Sequence, residues 1–272
     1  MSVTKEVRGY MIDVQGTLID DRQKRPIAGS VEAIAKLQKQ ETPFVLVTNN
    51  TKQDSEKFKA YLRKLGYLFD DMQYLDPLMV LDTILPPTSI VAYGTPQFLT
   101  LLKERGYRFD FESPEAVLIS IKEDFTNDEY AQMIELTLGG AKLVGMHETS
   151  IYAKNGKRFP GVGAILKMVS FATGCKYQVV GKPSISFYAQ ALEKLRSQDS
   201  SLVYEKVEMI SDDLVGDLTG AKALGMKTSL VLSGKIASIE EVKSVVKNSA
   251  DRVADNIGVL LNRGSGDWYE VR

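Results

Sequence analysis

Short apolar, β-branched runs alternate with longer amphipathic stretches along most of the chain. Runs at 10–14, 43–47, 89–92, 116–120, 142–146, 177–180, 206–210 and 228–232 read as buried strands. A strand covered on both faces carries continuous rather than alternating hydrophobicity. Between the runs lie helical patterns at 30–40, 53–65, 97–105, 128–138, 162–173, 186–195 and 216–224. In the first of these, Val31, Ile34, Ala35 and Leu37 keep the spacing of a single apolar face. Gly66, Gly106, Gly174 and Gly225 each sit just past such a pattern, where a left-handed residue closes a helix. The alternation predicts an α/β fold, an open parallel sheet with helices on both faces. Around Leu85-Pro86-Pro87, and again at 175–178, the rhythm breaks as it does where one module hands over to another.

With 272 residues the chain is long enough for one large domain or two smaller ones, and needs no covalent staples. Lys and Arg number 34 against 35 Asp and Glu, a net charge of −1, which argues against a nucleic-acid binder that relies on bulk positive charge. Cys175 is the lone cysteine, so neither an intramolecular disulfide nor a CxxC knuckle can form. Cys175 itself reads as buried filler. His147 is the lone histidine, which excludes a metal centre built on two imidazoles. Apolar stretches run four or five residues, against the roughly 20 of a membrane helix. With no apolar leader following Lys5, Glu6 and Arg8, the expectation is a cytoplasmic protein with no membrane partner.

Four segments fall at the carboxyl ends of predicted strands, the edge where open α/β sheets bind ligands. Asp13-Val14-Gln15-Gly16-Thr17-Leu18 puts a carboxylate at the mouth of the sheet, though a turn with a capping Asp reads the same way. Thr48-Asn49-Asn50 offers a hydroxyl and two amides for a phosphoryl group, and serves equally well as a helix cap. Lys182, beside Pro183, is either a fixed cation for phosphate oxygens or a solvated surface lysine. Asp212, Asp213 and Asp217 place three carboxylates within six residues. Such a group asks for a cation, or else forms an acidic helix N-terminus that the helix dipole favours.

Taken together and in this order, strand-end Asp, Thr, Lys and acidic cluster resemble the haloacid-dehalogenase-like phosphotransferases. The likeness covers nearly the whole chain. It is nearest to the subfamily with a large α/β cap inserted between the second and third motifs, which holds NagD-like, 4-nitrophenyl and pyridoxal-phosphate phosphatases. Pro26-Ile27-Ala28-Gly29-Ser30, Val179-Val180-Gly181-Lys182-Pro183-Ser184 and Asp212-Asp213-Leu214-Val215-Gly216-Asp217 look like its phospholysine, phosphohistidine and inorganic pyrophosphate phosphatase branch. The resemblance implies a doubly wound Rossmann-like core at 1–84 and 180–272 with a cap at 85–179. It implies Asp13 as a nucleophile that becomes an aspartyl-phosphate. Mg²⁺ would be held by the Asp13 carboxylate, the Gln15 carbonyl and Asp212, with Asp217 and Asp213 orienting that shell. Thr48, Asn49 and neighbouring Asn50 would bind the phosphoryl, and Lys182 would offset its charge. The substrate would be a small phosphorylated compound, and pairing of caps makes a homodimer one expected assembly.

At Gln15 the chain departs from the family pattern, which carries a second aspartate there to protonate the leaving group and later activate water. A carboxamide does neither near neutral pH, and losing a positioned acid/base costs ~10²–10⁴ in rate. Relatives in the branch named above carry serine at that place. Three readings stay open: a phosphatase for leaving groups that need little protonation, a phospholigand-binding protein with weakened turnover, or a phosphotransferase to another acceptor. In the cap, Thr149 falls where relatives commonly carry an aspartate. Neighbouring His147 contacts the substrate's leaving group, or supplies the missing proton, or is an ordinary strand-end or surface histidine. Phe159-Pro160-Gly161-Val162-Gly163-Ala164 lacks the third glycine of a dinucleotide fingerprint, and no GxxxxGK[ST] loop is present. The tail at 264–269 is expected to dock on the core or on a second subunit.

Overall fold

A computed structural model describes residues 6–154, 157–262 and 269–271. The strands in the first half are β1 (Gly9–Asp13), β2 (Phe44–Val47), β3 (Tyr74–Leu75), β4 (Ser89–Tyr93), β5 (Arg108–Phe109), β6 (Ala116–Ile119) and β7 (Lys142–Gly145). Then come β8 (Ile151–Lys154), β9 (Lys157–Pro160), β10 (Tyr177–Val179), β11 (Val207–Ser211), β12 (Lys227–Val231), β13 (Arg252–Ala254) and β14 (Tyr269–Glu270). The chain divides into two compact units. One comprises the segments up to Thr48, Lys59–Leu75, and from Tyr188 onward; the other comprises Asn49–Phe58 and Asp76–Phe187.

The first unit is built on a sheet ordered β14-β13-β12-β11-β1-β2-β3. Its pairings are parallel except for β14, which runs antiparallel along β13. β2 and β11 are buried along their whole length, as expected for strands covered on both faces. From β1 the chain winds outward to β2 and β3, then re-enters on the other side of β1 as β11, so the winding reverses between β1 and β11. Loops leave that point in opposite directions and open a crevice at the carboxyl ends of the strands. Asp13 ends β1, and Asp212 follows β11.

A buried charge sits within this sheet. Glu208 on β11 is fully enclosed and bonds the Ser229 hydroxyl on β12 and the Arg252 guanidinium on β13. Burial first, then the Glu208 carboxylate, push the neighbouring Tyr10 phenol up to about 12. Removing one member of such a pair strands the other in a low dielectric. Arg252→Met is therefore expected to destabilise the protein by about 3–5 kcal/mol, read as a lowered urea midpoint. The double variant Glu208→Leu/Arg252→Met should recover much of the loss.

The second unit carries a parallel sheet ordered β10-β7-β6-β4-β5 and a separate β8-β9 hairpin. Helices Asn127–Leu138 and Val162–Thr173 close one face of the sheet, packing Met133, Val162, Ile165, Leu166 and Val169 against Val91, Val117, Ile119 and Leu143. Two sheets of almost entirely parallel strands, with helices between the strands in chain order, make this an α/β fold.

Gly66, Gly106, Gly174 and Gly225 all have positive φ, between 71° and 103°, as their places after helices predicted. The Leu85-Pro86-Pro87 break falls directly after helix Pro77–Ile84, which periodicity missed although Asp76 caps it and Pro77 opens it. Cys175 is half-buried rather than buried, its Sγ 3.8 Å from the Thr137 and Thr173 carbonyl oxygens. Of the tail, 264–268 lies outside the described residues, and Tyr269 pairs with Val253. Among the described residues no helix is long and apolar enough to cross a membrane.

Candidate active site

Asp13 and Asp212 stand at the carboxyl ends of adjacent strands and are 5% and 1% exposed. Burial first, and the Asp13 carboxylate second, push Asp212 well above the usual carboxylate range. Two enclosed carboxylates that repel each other are the arrangement a divalent cation relieves. The backbone is shaped around them. Gly16 has φ +80°, and a Cβ there would lie 2.2 Å from Asp212 Oδ2. On Gly234 a Cβ would meet the same oxygen at 2.0 Å. Neither position accepts a side chain without displacing the carboxylate.

The Gln15 side chain is engaged: its Oε1 accepts the Thr48 hydroxyl at 2.6 Å. Thr48 itself is fully enclosed at the end of β2, and its N–H donates to Leu75 O at 3.1 Å. Behind Asp212, the Ser211 hydroxyl donates to Asp217 Oδ2 at 2.7 Å and accepts the Asp213 N–H at 3.0 Å. Asp213 Oδ1 accepts the Gly216 N–H at 2.8 Å, capping a π-helical turn at Leu214–Leu218 where an ordinary helix was expected. Tyr188 donates its hydroxyl to Asp217 O at 2.9 Å. Burial, then Asp217, Asp213 and Asp13, hold that phenol protonated, its pKa far above the usual tyrosine value.

Several contributors were not singled out in the sequence. The Asp212 N–H donates to Thr17 Oγ1 at 3.2 Å, and Ser233 Oγ to Gly16 O at 2.7 Å. Lys235 gives its N–H to Asp212 Oδ2 at 2.7 Å, while its ammonium pairs with Asp213. Ser233 to Lys235 follow the carboxyl end of β12, beside β11. The strand-end rule that singled out Asp13 and Asp212, applied to β12, would have reached them.

In the second unit the Asn49 carboxamide grips the Lys182 main chain from both sides. Its Oδ1 accepts the Lys182 N–H at 2.9 Å and its Nδ2 donates to the Lys182 carbonyl at 3.3 Å. This closure needs Gly181, where a Cβ would come within 2.6 Å of Asn49 Oδ1 and 2.8 Å of Met146 O. Lys182 is 2% exposed, so it is not a solvated surface lysine. His147 is also buried, in the loop after β7. On either side of it Met146 O accepts the Gly181 N–H at 2.9 Å, and the Glu148 N–H donates to Lys182 O at 3.2 Å. Asn50 is turned to its own loop, donating to Gln53 O at 3.0 Å. Asp13, Gln15, Thr48, Asp212 and Asp217 thus belong to one unit, and Asn49, Asn50, His147 and Lys182 to the other.

Among the described residues no three His, Cys, Asp or Glu side chains gather as a metal-holding group. Mg²⁺ does not require one. It takes one or two carboxylates and completes its octahedron with water and substrate phosphate. The buried Asp13–Asp212 pair offers hard carboxylate oxygens of that kind.

Residues 10–108 match the family described as haloacid dehalogenase-like hydrolase, and residues 179–260 the one described as HAD-hydrolase-like. Phospholysine phosphohistidine inorganic pyrophosphate phosphatase of Homo sapiens is 30% identical over 266 residues, 94% of this chain and 93% of that protein. Among solved structures, the p-nitrophenyl phosphatase from Archaeoglobus fulgidus aligns with a TM-score of 0.79 at 22% identity, covering 94% of this chain and 99% of that one. NagD from E. coli K-12 aligns with a TM-score of 0.74 at 20% identity, covering 93% and 98%.

Proposed function

Because the chain belongs to the haloacid dehalogenase-like hydrolases, in the NagD and nitrophenyl phosphatase subfamily, we propose that it is a Mg²⁺-dependent phosphatase of small phosphorylated compounds. The observation that carries the reading is the buried Asp13–Asp212 pair where the sheet reverses its winding. Asp13 attacks phosphorus: its oxygen bonds to the phosphoryl as the bond to the leaving group breaks, and the electron pair departs with that group. Water then attacks the aspartyl-phosphate, releasing inorganic phosphate and restoring the carboxylate. Asp13, the Gln15 carbonyl and Asp212 would hold Mg²⁺, with Asp217 fixed behind them by Ser211. When bound, the cation supplies charge neutralisation for the phosphoryl oxygens. Asn49 would bind those oxygens, with the Thr48 hydroxyl once it turns from Gln15; Asn50 would shape their loop and Lys182 would supply a fixed positive charge.

Gln15 gives the reading its particular form. Its carboxamide is held by Thr48 and exchanges no proton, so the leaving group departs unassisted. Substrates whose leaving group is stable without a proton from the enzyme are favoured, such as acyl phosphates, phosphoramidates and pyrophosphate. A cap at 85–179 would give His147 a part in the choice of substrate. The absence of a proton donor at position 15 also favours a second reading, a phospholigand-binding protein with weakened turnover. A net charge of −1 suits a small anionic substrate rather than a nucleic acid, and the single cysteine suits the cytoplasm.

Phosphate release measured across a panel of divalent metals separates these readings. The proposal expects metal-dependent release, with 4-nitrophenyl phosphate turned over ~10²-fold or more faster than an alkyl phosphate. Equal, rapid turnover of both would refute the role given to Gln15. Tight phosphate binding with no release under any metal would leave the binding protein.

A further inference from the structure

The loop that leaves β12 reaches back across the mouth of the first sheet. Ser233 ties it to the Gly16 carbonyl at 2.7 Å, and Gly234 presses its backbone against the Asp212 carboxylate. Lys235 then contributes twice: its N–H donates to Asp212 Oδ2 at 2.7 Å, and its ammonium pairs with Asp213. Asp213 is in turn fixed by the Gly216 N–H on its other oxygen. One residue therefore meets both neighbouring carboxylates, Asp212 through the main chain and Asp213 through the side chain. The Lys235 side chain stays partly open to water, and Asp213 and then Asp212 favour its ammonium form.

We propose that Lys235 is a positioning residue that acts as a built-in counter-cation, holding Asp212 and Asp213 in place in the metal-free chain and lowering the site's affinity for its divalent cation. The inference rests on the metal-binding reading given under Proposed function. Without metal, the Asp13 and Asp213 carboxylates both bear unfavourably on Asp212, and the Lys235 ammonium offsets part of that repulsion. Once a divalent cation arrives, the same ammonium repels it. Asp212 is held by the Lys235 backbone, so replacing the side chain removes the charge and leaves that hydrogen bond.

Calorimetric titration of Mg²⁺ into the full-length protein, without substrate, tests this directly. Lys235→Met is expected to tighten Mg²⁺ binding about 3- to 10-fold at low ionic strength, the scale of one screened charge close to the ion. The gain should shrink in added salt as the Debye length shortens. In EDTA the thermal midpoint of the variant should fall below that of the wild type, and saturating Mg²⁺ should close the gap. Lys235→Arg, which keeps the charge, should bind Mg²⁺ within about twofold of the wild type. If Lys235→Met does not fold in EDTA, Lys235→Gln reads the same shift. Unchanged or weakened binding in the neutral variants would overturn the role of Lys235 alone. A wild type that binds no Mg²⁺, giving the same flat titration as Asp212→Asn, would overturn the metal site itself and this role with it.

Discussion

Asp13→Asn is expected to lower phosphate release on the order of 10⁴–10⁶-fold, the scale on which enzymes lose a nucleophile. The amide has nearly the same shape but no anionic oxygen to attack phosphorus, and it is a poorer ligand for a hard cation. Steady-state release by wild type and variant under one metal condition checks the value. A residual rate within tenfold of the wild type would contradict it. The same substitution carries a stability signature of opposite sign. Asp13 is the second cause, after burial, of the raised pKa of Asp212, so the variant moves that group back toward its ordinary value. A carboxyl whose folded pKa is raised contributes stability at pH below its unfolded value and loses it as the pH climbs through the folded one. The metal-free wild type should therefore lose stability as pH rises from the ordinary carboxylate range, and Asp13→Asn should lose less. Thermal midpoints in EDTA against pH, for both proteins, read this difference.

Gln15→Asp is expected to act in the other direction, raising turnover of an alkyl phosphate by ~10²–10⁴. The new carboxyl group can give a proton to the departing oxygen and take one from water. The shorter side chain leaves the Thr48 hydroxyl for the phosphoryl group. Turnover of 4-nitrophenyl phosphate should rise far less in its first step, since its leaving group departs as a stable anion. The ratio of the two rates is thus the sharper readout. A variant that gains nothing on either substrate would show that the missing acid/base is not what limits the protein.

Much of this architecture is written in local patterns, and the exceptions have physical causes. Buried strands such as Phe44–Val47 and Ala116–Ile119 announce themselves as continuous apolar runs closed by turns. β3, β5 and β14 hold two residues each and β13 three, too few for any period, and exist because a neighbouring strand offers a ladder. The β8-β9 hairpin carries Lys154, Lys157 and Arg158, and β9 is largely exposed, so it lacks the apolar signal of the sheet strands. Asp13, Thr48 and Asp212 were legible as polar residues directly at the ends of apolar runs, where the strand-end rule looks. Tyr188, Ser211, Ser233 and Lys235 were not, because each acts through a bond to main chain or to a carboxylate fixed only once β1, β11 and β12 lie side by side. The engagement of Gln15 by Thr48 spans 33 residues and likewise follows from the pairing of β1 with β2.

In the proposed reaction Asp13 carries the phosphoryl group between the two chemical steps. Rapid acid quench during turnover, borohydride reduction and peptide mass mapping tests this, because reduction converts an aspartyl-phosphate to homoserine. The expected result is homoserine at position 13, dependent on substrate and on divalent metal, and absent from Asp13→Asn. Sustained phosphate release with an unmodified position 13, or with the label on another carboxylate, would contradict the account.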